Sequence, residues 1–304
     1  MPSRKVQSYC GSKIFGVPKY VFWVLLGVAI IVIVVPVAVM FGRKKHIQKS
    51  SVLVPLYVYP DPGAWDPLYD AIEKNPTLDF TVVMNPESGP GNDSLPDSNY
   101  TSQIPRLTTY PNVVTVGYVS TNYSNRDISA VLQDIRTYAG WSGGNVTIKS
   151  LGMRGIFFDE TPADYTAASG RFYGTVAAMV RSQPGFGDDP LIIHNPGVIP
   201  DPRYLSSCNQ TVVFEGAYDT YQKYKMQKNI TTFLSQNSKI CTRDNLATIV
   251  HSMPSSVSAK GQMSLVKDLR GISRNVFVTG LSVDYYSSFW NGWEGFVQDV
   301  AAQK

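Results

Sequence analysis

Cysteine and histidine are scarce in this chain, with three of each among 304 residues. Three cysteines allow at most one bridge. The histidines, His46, His194 and His251, stand far apart, and no His-x-His or His-Glu-x-x-His spacing occurs. That argues against a metal centre. No Gly-x-Gly-x-x-Gly turn follows a strand, so a dinucleotide site is unsupported and no cofactor is expected. No Gly-x-Ser-x-Gly elbow is present, which leaves a serine hydrolase without its nucleophile. Ser88-Gly89-Pro90-Gly91 is glycine-rich but lacks the lysine of a phosphate loop. Acid is missing altogether from residues 1–50, which carry eight basic residues. The remainder holds nineteen basic against twenty-three acidic residues, a net of −4. The positive charge of the whole chain therefore belongs to its N-terminal segment and gives no support for nucleic-acid binding.

Charge is also missing from Tyr20 to Gly42, 23 residues rich in Val, Ile and Leu. At about 1.5 Å per residue such a helix crosses a hydrocarbon core of about 30 Å. The run is too long for a cleaved signal peptide and lacks a small-residue cleavage site. It predicts an uncleaved signal anchor, with residues 1–19 as a tail and 43–50 as a basic stalk. Basic residues flank the span equally, so they do not orient it. Asn-x-Ser/Thr sequons do: Asn92, Asn99, Asn122, Asn145, Asn209 and Asn229 all follow the span. Six sequons in one domain favour glycosylation in an extracellular or lumenal compartment. The expectation is a single-pass type II protein at the plasma membrane or cell surface, monomeric, with residues 51–304 outside. Cys10 would then be cytoplasmic. Cys208 and Cys241 would be a disulfide pair, since each precedes one of two strands expected to be neighbours.

Residues 51–304 alternate strand-like and helix-like segments. Strands are predicted at 52–59, 80–84, 113–119, 154–158, 191–194, 211–214, 247–251 and 276–283. Helices are predicted at 65–74, 102–109, 127–139, 163–182, 202–206, 218–234, 257–270 and 293–302. Crossovers long enough for a helix argue for parallel strands. Eight such units in about 250 residues match an α/β fold of the (β/α)8 TIM-barrel type, with a doubly wound open sheet as the competitor.

One stretch organises the rest: Gly155-Ile156-Phe157-Phe158-Asp159-Glu160-Thr161-Pro162. Its apolar run reads as a strand covered on both faces, ending in two adjacent acids. Thr161 and Pro162 could open the following helix. In a barrel the C-terminal strand ends carry the chemistry. The other ends offer Tyr57 and Tyr59, Asn85, Tyr118, His194 and Asn195, Glu215, His251, and Asp284, Tyr285 and Trp290. Carboxylates framed by aromatic and amide groups suit a sugar, whose C–H faces stack on rings and whose hydroxyls need polar partners. Glycosidic cleavage needs two carboxyl groups flanking the bond. Asp159 or Glu160 on the fourth strand can face Glu215 on the sixth. Apolar neighbours of Glu215 would raise its pKa and suit it to be the acid. The bland alternatives are a helix-capping Asp159, a structural Glu215 and packed tyrosines.

These residues carry a family resemblance. Residues 54–60, Asn85-Pro86 with Ser88-Gly89-Pro90-Gly91, Gly155 to Glu160, Asn195-Pro196-Gly197 and Phe214-Glu215 resemble the spherulin-4 (spherulation-specific family 4) proteins, glycoside hydrolase family 135. The resemblance covers nearly all of residues 51–304. It implies a (β/α)8 endo-hydrolase that cuts α-1,4-linked N-acetylgalactosamine in galactosaminogalactan. It also implies Asp159 as nucleophile, Glu215 as acid/base and Glu160 as a substrate-orienting or tuning residue. A carbohydrate-binding or wall-structural protein on the same barrel is the other functional class; the complete acidic trio favours the enzyme.

Overall fold

The computed structural model describes residues 49–142 and 151–302, together with residues 13, 14, 17, 18 and 24. The chain divides into two units, Met1–Gln48 and Lys49–Lys304. In the first, Lys13–Ile14 pairs antiparallel with Val17–Pro18. The expected membrane span lies outside the described residues except for Val24, as do Cys10, His46 and the Asn145 sequon. Among the described residues no helix is long and apolar enough to cross a membrane.

The second unit is a closed barrel of eight strands: β1 Ser51–Leu56, β2 Asp79–Met84, β3 Val113–Ser120, β4 Gly155–Asp159, β5 Leu191–Asn195, β6 Gln210–Ala217, β7 Leu246–His251 and β8 Asn275–Val278. Each pairs parallel with the next, and β8 closes on β1. The strands are buried along most of their length because the barrel fills one face and helices cover the other. The helices are α1 Asp66–Lys74, α2 Ser98–Thr108, α3 Ile128–Gly140, α4 Ala167–Ser182, α5 Tyr218–Lys223, α6 Met226–Gln236, α7 Ala259–Ile272 and α8 Trp293–Ala301, with a 3₁₀ turn at Pro202–Ser207 after β5. At the N-terminal end of the barrel Arg243 donates to the carbonyls of Lys49, Arg270 and Ser273 and to the Ser50 hydroxyl, which fastens the start of β1.

Several boundaries depart from the sequence reading. The eighth strand ends at Val278, not Val283. Beyond it Gly280 lies against Trp290, where a Cβ would come within 2.5 Å of the indole. The helix expected over 218–234 breaks into α5 and α6 at Lys225, whose φ is 51°. Thr161 does not cap a helix. It is buried at the end of β4, and the helix starts later at Ala167, where Thr166 and Ser169 form a reciprocal cap. The expected disulfide is absent: Cys208 and Cys241 are both free thiols. They do sit at the entrances of β6 and β7, but each S–H donates to a backbone carbonyl, of Tyr204 at 3.7 Å and of Thr242 at 3.6 Å. Burial, with the neighbouring Cys241 adding to it, pushes the Cys208 thiol up to about 12.

Two local features position the site. Gly155 opens β4 where a Cβ would stand 1.8 Å from the Leu191 carbonyl oxygen, so only glycine lets β4 run this close to β5. In β6 the register slips between Val212 and Phe214. Such a bulge shifts the side-chain alternation by one residue, and Glu215 beyond it turns to the barrel mouth.

Candidate active site

Strand alternation decides which groups meet. Ser120, Asp159 and Asn195 are register partners across β3, β4 and β5, and so stand level at the C-terminal rim. Tyr118 and Phe157 form the layer beneath, their ring centroids 6.4 Å apart. Phe158 and His194 have the opposite parity and point outward against α4, where His194 meets Phe158 at 6.0 Å and Tyr173 at 4.9 Å. His194 is therefore not a substrate ligand. Its Nε2 has no partner among the described residues, and burial pulls its pKa down to about 3.

Asn195 joins the two acids. Its Nδ2 donates to Asp159 Oδ1 at 2.7 Å and to Glu215 Oε2 at 2.5 Å. Its Oδ1 accepts from the Gly197 amide at 3.1 Å, which fixes the orientation of the side-chain amide. Two oxygens held by one nitrogen cannot lie further apart than the two bond lengths together, so the facing carboxylate oxygens are within about 5.2 Å. Asp159 accepts two more hydrogen bonds, from the Glu160 amide at 2.9 Å and from the Tyr118 hydroxyl at 2.9 Å. Glu215 accepts from the Tyr286 hydroxyl. Burial, with Asp159 and Glu215 adding their charge, raises the Tyr118 and Tyr286 pKa values, so both stay protonated donors. Tyr57 stands edge-on between them, its centroid 5.6 Å from Tyr118 and 5.4 Å from Tyr286.

The burial-driven carboxyl shift falls on Asp159. Desolvation and then the charge of Glu215 raise it to about 6, against the lowering effect of its three donors. Glu160 leaves the strand with φ 53°, a conformation costly for a non-glycine residue. Its Oε2 accepts from Ser120 Oγ at 2.5 Å, and its carbonyl accepts from the Tyr123 amide at 2.7 Å and from Thr121 Oγ1 at 3.0 Å.

Other expected site residues fall further out. His251 stacks on Tyr285, centroids 4.1 Å apart and planes 5° apart, and Tyr285 meets Tyr286 edge-on at 4.8 Å. Tyr59 donates to Asp97 at 3.1 Å and packs edge-on to Tyr100 at 5.7 Å, away from the acids. Asn85 accepts from the Gly89 amide at 2.9 Å and shapes its own loop. Asp284 is exposed, and Trp290 packs over Gly280 and Gly292. Ser120 and Tyr286, at the ends of the third and eighth strands, fall where the sequence places the active face, whereas Thr121, buried just past β3, carries no such signal.

A pair of carboxyl groups bridged across the mouth of a (β/α)8 barrel, with aromatic groups around them, defines a barrel of the glycoside-hydrolase type. The chain matches the family described as Spherulation-specific family 4 over residues 51–300, and it belongs to that family. It is 38% identical over 177 residues to Spherulin-4 of Physarum polycephalum, a match covering 57% of this chain. That match spans about half the length of the Physarum protein, 48%. The crystal structure of Aspergillus clavatus Sph3 in complex with GalNAc is similar at TM-score 0.79 and 46% identity, covering 84% of this chain and 98% of that one. A metagenomic xyloglucan-specific endo-beta-1,4-glucanase, 8% identical at TM-score 0.51 over 84% of this chain and 97% of its own, shares the fold alone.

Proposed function

We propose that this chain is a membrane-anchored, retaining endo-glycoside hydrolase that cleaves α-1,4-linked N-acetylgalactosamine runs of galactosaminogalactan type. The observation that carries the reading is the Asn195 amide spanning Asp159 and Glu215. The GalNAc bound to the similar Aspergillus protein supports the sugar.

Retaining enzymes hold their two carboxyl groups about 5–5.5 Å apart, inverting enzymes about 6.5–9.5 Å. The oxygen separation here, within about 5.2 Å, supports retention. Asp159 is the nucleophile in this reading. Three donors favour its ionised form, and its oxygen attacks the anomeric carbon while Glu215 gives its proton to the departing sugar oxygen. Glu215 then takes a proton from the water that releases the sugar from Asp159. Glu160 orients substrate from the rim.

The uncharged run at 20–42 supports the anchor and a cell-surface location. Asn92, Asn122, Asn209 and Asn229 are exposed, as glycan acceptors must be. The deciding experiment incubates the protein with purified galactosaminogalactan and with its deacetylated form, reading products by mass spectrometry and the first-formed anomer by NMR. N-acetylated oligosaccharides of several lengths, released as the α-anomer, are expected. No product from either polymer would overturn the reading, and β-anomers would overturn retention.

A further inference from the structure

Beside the two acids the chain does something L-residues avoid. Asn122, Tyr123 and Ser124 have φ of 44°, 54° and 67°, three consecutive non-glycine residues in the left-handed region. The turn is tied to the catalytic strand. Thr121 donates its amide to the Asp159 carbonyl at 3.0 Å, and its hydroxyl contacts the carbonyls of Asp159 and Glu160. The Tyr123 amide donates to Glu160, and the Asn125 amide closes on Asn122 at 2.8 Å. Arg126 braces the turn through the Ser120 carbonyl and Asp134.

None of these bonds uses the Tyr123 side chain. Glycine would make the same backbone bonds without the steric cost. The tyrosine ring, 55% exposed, adds little to the core. Other exposed apolar groups follow strand ends on the same rim: Tyr59 after β1, Val198 after β5 and Val283 after β8.

We propose that Tyr123 is a stacking platform for a sugar unit flanking the bond that is cut. The inference rests on the glycosidase reading and deepens it. An endo-acting enzyme must hold units on either side of the scissile bond, and the apolar face of a pyranose needs a ring to lie on. The left-handed turn carries that ring on the very residue whose amide donates to the Glu160 carbonyl, so the platform and the acids keep a fixed spacing.

The test uses protein made without glycosylation, so that Asn122 is bare. Tyr123→Ala and Tyr123→Gly should lower kcat/KM on long N-acetylgalactosamine oligosaccharides about 5- to 10-fold, through KM. Turnover of an aryl N-acetylgalactosaminide, too short to reach the platform, should not change. Tyr123→Phe should behave as wild type. Tyr123→Gly should hold or raise Tm while losing long-chain activity, which a structural tyrosine would not do. Met263→Ala, at an exposed residue on α7, should change nothing. Equal losses on long and short substrates, no loss, or a lower Tm for Tyr123→Gly overturns the platform. Calorimetric binding of the same oligosaccharides should weaken by the same factor in the Tyr123→Ala protein. A wild type that binds but does not cut overturns the glycosidase reading and leaves that comparison intact; a wild type that does not bind overturns both.

Discussion

The Tyr286 hydroxyl donates to Glu215 Oε1 while the Asn195 amide donates to Oε2, so both oxygens of one carboxylate are held, by groups on β5 and the loop after β8. Tyr286→Phe keeps the ring that packs on Tyr57, Phe277 and Tyr285 and removes only the donor. A hydrogen bond to a charged group is worth about 1.5–3 kcal/mol, so kcat/KM should fall about 10- to 100-fold. Unchanged kinetics would mean that Glu215 needs no such support.

Asn195→Ala removes the amide that donates to both carboxyls. Asp159, already raised to about 6 by burial and by Glu215, should rise further. The acid limb of the kcat/KM profile should move to higher pH, with a loss of about 100-fold at pH 6. A rate loss without any shift of that limb would reduce Asn195 to a structural role.

Role assignment reads out in the pH profile of the wild type. A nucleophilic Asp159 must be ionised, so kcat/KM should climb as pH rises through about 6. A decline through the same range would make Asp159 the acid. Substitution gives the second check. Asp159→Asn and Glu215→Gln should each lose about 10²–10⁴-fold or more, and Glu160→Gln less. Only Glu215→Gln should recover on a substrate whose leaving group needs no proton. Glu160→Gln as dead as Asp159→Asn, with Glu215→Gln active, would move the catalysis onto the adjacent pair.

His194 makes the fold acid-sensitive. Its folded pKa, about 3, lies below the ordinary 6.5, so its contribution is intact above about 6.5 and is lost as pH falls below that value. Asp159 works in the opposite sense between about 6 and 3.8, because its folded pKa is raised. His194→Met fills the space without a proton to bind. Between pH 7 and 4 its Tm should fall less than that of the wild type; parallel curves would show that His194 is not the group responsible.

The chain alone determined the barrel, because strand-length apolar runs alternating with helix-length segments leave few other ways to bury both faces of eight strands. It also placed Asp159, Glu160 and Asn195 at strand ends, since strands there stop at charged and turn-forming residues. Which groups meet was decided by tertiary structure. Parity sent Asn195 inward and His194 outward although they are adjacent, and the bulge at 212–214 turned Glu215 to the mouth. Tyr286 reaches Glu215 only because the loop after β8 folds back over the barrel. The thiols of Cys208 and Cys241 show the same limit: strand order brought them to neighbouring strand entrances, but they are free and each donates its S–H to a nearby backbone carbonyl. Spacing along a chain sets which residues can share a rim, whereas bulges, loop closure and competing donors set which of them touch.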